Sequence, residues 1–545
     1  MDQKKPISSV GHCHFYENVP TPVKGSGCMK ILHLIVDHFR CTDSADAKAY
    51  GQEKIFSFRN FFWILFAWMI IWTIWPSLCI GNVAIDVAEN IAWGDNFQFG
   101  YDKNPYFGAW LSWAAFRICP SEYVFYWLSQ IAATLGLAAV YLLTAEVTGS
   151  RFAGFAAGLS ALLIPFFSHS ACEFNDDVIC IALWGWSALC FYRAVKKDSL
   201  KSWIGAGVFA GLALMTKYLA GALLLPLGLL LFFTAEGRKC WKRPGMYLAG
   251  AVFLVLVVPN VIWLCKNNFI ALSYAMDRAR LDEPTTGLVT RLKFMLDTAG
   301  QFLSRLILPL ASLLVFRRSA EKTPDAFGRK LIVIAALAPF VLSLLFILTT
   351  GGKVLTPWLT PYFVFSTPLL VLWYRPLPER RTFRCFTAVI IVAAALFVVF
   401  FGYEYLHKRP YLRRGVTYNV WPGRTVAEQM TKQWRERYGR PLPYVIGDRT
   451  VTCNVTFYSP DRPTAFFDHL TELSPWIDPA DVQRRGAVIL WTGNDPPRYL
   501  KDYGPRIVML PDIVAERAAV GWYRKLAGPL RTVTVHAAFL PPQTK

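Results

Sequence analysis

The sequence predicts a polytopic α-helical membrane protein that ends in a small α/β domain. Uninterrupted apolar runs recur between residues 58 and 405, the first of them, Phe61 to Ile80, without a single charge. Twenty such residues cross a hydrocarbon core of ~30 Å. Only 17% of the 545 residues are charged while 54% are hydrophobic, against about 25% charged in a soluble domain. After Lys408 the pattern changes to short apolar stretches separated by Pro, Asp and Gly turns, as in a soluble domain.

Taken in order, residues 1–57 are polar and weakly patterned, and are expected to form a cytoplasmic amino-terminal tail; they lack the compact basic start, apolar stretch and cleavage site of a signal peptide. Eleven apolar runs follow, at 58–80, 123–146, 152–168, 177–195, 202–216, 219–235, 246–265, 298–316, 331–350, 356–374 and 385–405. The net charge of +20 is not a nucleic-acid footprint, because the basic residues cluster in short loops between runs. Arg193, Lys196, Lys197 and Lys201 follow run four, Arg238, Lys239, Lys242 and Arg243 follow run six, Arg317, Arg318, Lys322, Arg329 and Lys330 follow run eight, and Arg375, Arg380, Arg381 and Arg384 follow run ten. All four clusters fall on one side, which the excess of Lys and Arg assigns to the cytoplasm. The loop 81–122 and the segment 408–545 are then outside.

That first outer loop presents Asp86, Glu89, Asp95, Asp102 and Lys103 among Trp93, Phe97, Phe99 and Tyr101. Asp86 and Glu89, three residues apart, share one face of a helix. With the orientation fixed, Lys103, Lys217 and Lys353 are the basic residues on the unexpected side, the last two at very short apolar turns. A lone cation there is costly unless it snorkels or meets an anion. Three beside a carboxylate-bearing loop favour a shared anionic ligand such as a phosphate. Lys217 ends a run and is expected to pack no core. Glu173, Asp176 and Asp177 read either as an acidic helix start or as groups that orient an acceptor in the same outer cavity; Tyr101, Glu173 and Tyr218 are carried as cavity candidates. The outer loop 266–297 mixes Arg278, Arg280 and Arg291 with Asp277, Asp282 and Glu283. The twelve cysteines show no CxxC pair or Cys/His ligand spacing, so no metal site is read from them. In the last segment, strands are expected at 443–447, 452–458, 486–491, 506–510 and 531–539, with a helix at 512–526.

The stretch IDVAENIAWGDNFQFGYDKNPYFGAW resembles the first outer loop of bacterial family 39 glycosyltransferases, of the GT-C superfamily. These are related to protein O-mannosyltransferases, lipid A aminoarabinose transferases and rhizobial galacturonic acid transferases. Their pattern is an acidic residue soon after the first span, a Gly-Tyr-x-Lys-His-Pro-Pro-like segment and a tryptophan. Here the segment is Gly100, Tyr101, Asp102, Lys103, Asn104, Pro105, Tyr106. FNDDVICIALWGWSALCFYRA, GLALMTKYLAGALLL and VIGDRTVTCNVTFYSPDRPTAFF follow in the family's order, so the resemblance runs from about residue 60 to the end. Two departures stand at the site: Asn104-Pro105-Tyr106 for His-Pro-Pro, and Thr356-Pro357-Trp358 for a His-Trp pattern.

The resemblance implies a GT-C fold of about eleven spans, with 58–407 as transferase domain and 408–545 as a periplasmic α/β domain, in the bacterial inner membrane. It implies an inverting hexosyl- or pentosyltransferase that uses a polyprenyl-phosphate sugar and a glycolipid (lipid A or lipopolysaccharide core) or protein acceptor. No cofactor is expected beyond that lipid-linked co-substrate. Asp86 matches the family's acidic position and would take the acceptor's proton, with Glu89 orienting it. Lys103, Lys217 and Lys353 would stabilise the leaving phosphate. The alternative is a transporter or flippase for a lipid-linked or anionic substrate, which would need ionisable groups deep within its spans; the runs are nearly free of them. A scaffold with a carboxyl-terminal binding domain accounts for neither Asp86 nor the lysines.

The orientation yields a direct expectation. Single cysteines at 217 and 353, in a cysteine-poor background, react with an impermeant reagent in intact spheroplasts, whereas cysteines at 239 and 318 react only after the membrane is opened. Labelling of position 353 only after opening would reverse the topology.

Overall fold

The computed structural model describes residues 50–280, 287–319 and 325–543; most of the expected cytoplasmic tail lies outside them. Six of its helices are long and apolar enough to cross a membrane: Phe58–Cys79, Tyr123–Thr148, Asp176–Lys197, Pro244–Lys266, Ala326–Thr350 and Arg380–Leu412. Each corresponds to one of the expected runs. The run 152–168 is instead a pair, Arg151–Ala161 and Pro165–Cys172, bent by 98°. Pro165 has no N–H to continue the ladder, and the bend turns residues 165–173 across the end of the bundle. The remaining runs are shorter or broken: Leu200–Thr216 and Tyr218–Phe233, a break at Arg305 between Leu288–Ser304 and Ile307–Leu313, and a 3-10 stretch Thr356–Phe365 leading into Ser366–Tyr374. The protein is a multi-pass membrane protein.

Helix Asp176–Lys197 is the axis of the bundle, with 83% of its apolar window buried. Asn175 starts it by accepting from the Val178 N–H at 3.0 Å, and Lys196 and Lys197 end it, favourably for the helix dipole. Its carboxyl end gathers basic loops. Arg243 bonds the Val195 carbonyl at 2.7 Å, Lys196 pairs with Asp325 at 2.8 Å and Arg193 with Glu146 at 2.5 Å. The loop at 317–319 is tied to 375–377 through the Ser319 N–H on the Arg375 carbonyl and the Leu377 N–H on the Arg317 carbonyl. Asp176 and Asp177 are at the other end, ~30 Å away at 1.5 Å per residue.

The carboxyl-terminal domain is built on six strands: β1 Tyr444–Gly447, β2 Thr464–Phe467, β3 Ala487–Trp491, β4 Val508–Met509, β5 Ile513–Glu516 and β6 Thr532–Leu540. The order is β2-β1-β3-β6-β4, with β5 pairing β6 beside β4. β1, β2 and β3 are parallel and β6 is antiparallel to β3. Val445, Val488, Leu490, Val535 and Phe539 pack one face against Val426, Met430 and Trp434 of helix Gly423–Tyr438. Ile446, Ile489 and Ala538 fill the other with Phe466 and Val482.

Two local expectations are corrected. The stretch 452–458 is helix Arg449–Tyr458, not strand. Its Val, Thr and Phe content favours strands only weakly, and Asp448 caps the helix by accepting from the Thr450 and Val451 N–H groups. The expected helix 512–526 divides into β5 and the short helix Gly521–Ala527.

Helix Arg449–Tyr458 docks the domain onto the first loop. Arg449 reaches Glu89 at 2.6 Å and pairs with Asp102. Asn454 accepts from Asn82 at 2.9 Å. The Tyr458 hydroxyl takes the Val83 N–H and donates to Glu122. A second joint is Arg517, buried, whose guanidinium bonds the carbonyls of Arg409, Pro410, Arg413 and Arg414 at the end of the last long helix.

Removing Arg449 leaves buried Asp102 without its cation and buried Glu89 with Lys103 alone. Breaking a buried pair costs on the order of 3–5 kcal/mol, so Arg449→Ala is expected to lower the unfolding temperature clearly and to open the 444–540 domain to protease. Combining it with Asp102→Asn should cost less than the sum of the two changes. Unaltered thermal stability and protease resistance in Arg449→Ala would show that the joint does not hold the domain.

Candidate functional site

The first outer loop folds before it can act. Ile85–Gly94 and Phe107–Ile118 are two short helices closed by a bridge between Gly100 and Pro105. Tyr101 is buried there, stacked on Trp93 at 5.1 Å between centroids; it holds the loop and does not line the cavity. Gly108 allows the second helix to pass the axis helix, because a Cβ would collide with the Asp176 carboxylate.

A cavity of about 1220 Å³ opens between this loop, the bent 165–173 segment, the starts of helices 176–197 and 221–233, and the segments 272–278, 304–305 and 354–360. Asp86, Glu89, Lys103, Glu173, Lys217 and Tyr218, expected from the sequence, all line it. Lys353 does not: its ammonium lies over the Phe294 ring at 4.6 Å and its N–H bonds the Ala279 carbonyl at 2.6 Å. It ties Ala279 to Phe294, while its neighbours Val354 to Trp358 form the wall.

The expected acidic pair divides into two roles. Glu89 is 2% exposed, with Oε2 on Lys103 at 2.7 Å and Oε1 on Arg449 at 2.6 Å. Burial pushes its pKa up, but Lys103 and Arg449 outweigh that and hold the carboxyl below its ordinary value. Burial would depress the Lys103 pKa; Glu89 and Asp86 reverse this, so its ammonium stays charged. Burial holds the Asp102 carboxyl above its ordinary value despite Arg449. Asp86 is different. Its side chain is 43% exposed and only 3.6 Å from the Lys103 ammonium, so it faces the cavity with an oxygen free for another partner.

Asp176 and Asp177 belong to the site as well as to the helix start. Asp176 accepts from Asn104 at 2.5 Å. Asp177 takes both carboxylate contacts of Lys217 at 2.7 Å, and that ammonium lies 5.7 Å from the centre of the Trp358 ring. Lys217 is therefore not a free cation whose loss would spare the fold, as expected from the sequence; its removal would leave Asp177 unpaired. Asn104 and Trp358 stand in the two segments that depart from the family pattern, and both touch this cluster. Tyr218 donates to Asn260 at 3.1 Å.

Glu173 is held from the last membrane helix and the strap beyond it, by the Tyr405 hydroxyl at 2.8 Å, the Asn419 amide at 3.1 Å and the Tyr418 hydroxyl at 3.3 Å. Arg409 is 3.9 Å away and also pairs with Glu404. Sequence reasoning missed Arg409, Arg305 and Arg449. Arg449 carries no local signal, since its partners lie some 350 residues earlier in the chain. Arg305 does carry one: it is a lone cation inside the apolar run 298–316. Among the described residues no group of three or more His, Cys, Asp or Glu side chains is arranged to hold a metal ion.

A buried-anchored lysine beside a half-exposed carboxylate, in a cavity at one end of a membrane bundle, can hold an anion and take a proton within one contact distance. A model of the dolichyl-phosphate-mannose-protein mannosyltransferase family matches residues 103–263. Over 319 residues the chain is 24% identical to the lipid A galacturonosyltransferase RgtD of Rhizobium johnstonii, covering 57% of this chain and 65% of that protein, a little under two thirds of its length. Over 446 residues it is 25% identical to the lipopolysaccharide core galacturonosyltransferase RgtA of the same organism, covering 76% of this chain and 82% of that one. ArnT from Cupriavidus metallidurans shares the fold, with a TM-score of 0.56 in its apo state and 0.55 bound to undecaprenyl phosphate, at 14% identity. Those likenesses cover 88% of this chain and 98% and 97% of the two ArnT chains. In its matched domain, its relatives and its fold, the chain is similar to family 39-like glycosyltransferases of the GT-C superfamily.

Proposed function

We propose that this protein transfers a sugar from a polyprenyl-phosphate donor to an envelope glycolipid, lipid A or lipopolysaccharide core, on the periplasmic face of the bacterial inner membrane. The observation that carries it is Asp86: a half-exposed carboxylate 3.6 Å from an ammonium that buried Glu89 fixes in place. The names of RgtD and RgtA support the acceptor class, and the undecaprenyl phosphate bound by ArnT supports the donor class. The four basic loops, which gather at the opposite end of the bundle, support the face.

In this reading the acceptor hydroxyl gives its proton to Asp86 as its oxygen bonds the anomeric carbon. The bond from that carbon to the phosphate oxygen breaks, and polyprenyl phosphate leaves with the electron pair. The attack is in line, so the anomeric centre inverts. The phosphate gains one negative charge during the step, which Lys103 and Lys217 stabilise with the N–H groups that their carboxylate partners leave free. Glu89 keeps Lys103 in place and exchanges no proton. Residues 58–407 form the transferase domain, and 408–545 brace its catalytic loop from outside.

Asp86→Asn keeps size and shape and removes the proton acceptor. Transfer should fall by about 10²–10⁴-fold, the usual worth of general base catalysis, while binding of polyprenyl-phosphate sugar persists. Glu89→Gln should act mainly through stability. Purified protein, assayed for donor binding and for product, tests this. Full-rate transfer by Asp86→Asn would remove Asp86 as the base. Wild type that moves lipid-linked sugar across liposomes without consuming it would make the protein a transporter.

A further inference from the structure

Resting on the transferase reading, the geometry points to Arg305 as the residue that selects an acidic sugar: we propose that its guanidinium binds the carboxylate of a uronosyl donor. The cations of the cavity differ in what already neutralises them. Lys103, Lys217 and Arg409 each have a carboxylate partner. Arg278 and Arg305 have none among the described residues, and of these two Arg278 is exposed whereas Arg305 is half-buried. Its recorded contacts are one N–H donated from Nη1 to the Gln301 carbonyl at 2.5 Å and a place over the Phe166 ring, 5.3 Å from its centre.

Its position makes that unusual. Arg305 follows the last residue of helix Leu288–Ser304 and lies before Ile307–Leu313, inside a run that otherwise reads as membrane. The apolar run begins at residue 298, so Arg305 stands about seven residues, ~10 Å of helix, inside it, and its side chain lines the cavity. A cation inside an apolar run is expensive and is retained for a ligand or a partner. No side-chain partner is present among the described residues, and Phe166, Leu342 and Phe346 line the same cavity.

The chemistry of the site favours a carboxylate over a phosphate. The donor phosphate lies beside Asp86, where the anomeric bond breaks and where Lys103 already stands. Arg305 shares no recorded contact with Asp86, Lys103 or Lys217. The guanidinium, stacked on a ring and held by one backbone bond, keeps Nη2 and Nε free as an adjacent pair of donors. That pair matches the two oxygens of a planar carboxylate.

The test is binding by full-length protein in nanodiscs of three ligands: polyprenyl phosphate alone, a polyprenyl-phosphate uronosyl donor, and its neutral counterpart with a hydroxymethyl in place of the carboxylate. Wild type should prefer the acidic donor by about 10–100-fold, the worth of a charged hydrogen-bonded contact. Arg305→Gln should bring the two donors to parity and leave polyprenyl phosphate binding unchanged, with Arg305→Lys between them. Wild type that binds polyprenyl phosphate but ranks the two donors equally overturns the inference alone, and does so without any variant. Loss of polyprenyl phosphate itself in a folded Arg305→Gln protein also overturns it, by making Arg305 a phosphate residue. Wild type that binds none of the three removes the transferase reading, and the inference with it.

Discussion

The structure depends on the ion network that joins Lys103, Glu89, Arg449 and Asp102. Glu89 accepts from a lysine of its own loop and from an arginine of the carboxyl-terminal domain. One buried carboxylate thus fixes the cation of the site and the position of the domain that covers it. Neither cation alone would suffice. A buried carboxylate with a single partner keeps part of its desolvation cost, and the second charge-assisted bond offsets it. The same arrangement separates two acids that the sequence presents as equals. Glu89 is committed to two cations, and Asp86, one helical turn away, keeps its oxygens toward the cavity.

Charge pairing runs through the rest of the cavity. Asp177 holds Lys217, Asp176 holds Asn104, and Glu173 is held by the last membrane helix and the strap after it. An anionic ligand entering this space meets ammonium groups held in position by carboxylates. Fixed dipoles and charges of this kind need little reorganisation as charge moves onto the leaving group, which is the main source of electrostatic stabilisation in such sites. The π-helical turn Tyr403–Leu412 and the Arg517 joint connect the same cavity wall to the outer domain, and Glu173 is bonded from that turn by Tyr405 and from the segment beyond it by Tyr418 and Asn419.

Much of this was legible in the sequence because it is written locally. Apolar runs, basic loops and the change of composition after Lys408 follow from how single segments partition between lipid and water. Asp86, Glu89 and Lys103 lie close together in one loop that resembles a known pattern. Where the reading failed, the deciding partner lay far away in the chain. Nothing around Lys217 announces Asp177, and nothing around Lys353 announces Phe294. Arg449 precedes a stretch rich in Val and Thr that reads as strand, and the Asp448 cap that starts a helix there shows only in the fold. The bent pair at 151–172 and the break at Arg305 were smoothed into spans because hydropathy averages over a proline or a lone cation. Arg305 differs from these, since an isolated charge inside an apolar run is visible without any structure.

If an acceptor activated by Asp86 displaces the lipid phosphate directly, no covalent enzyme intermediate forms. The most direct measurement is the anomeric configuration of the product, read by NMR from a donor of known configuration and a purified glycolipid acceptor. Direct displacement predicts complete inversion, with polyprenyl phosphate released in equal amount to product. Retention of configuration, or release of polyprenyl phosphate in a burst before acceptor is added, would contradict it.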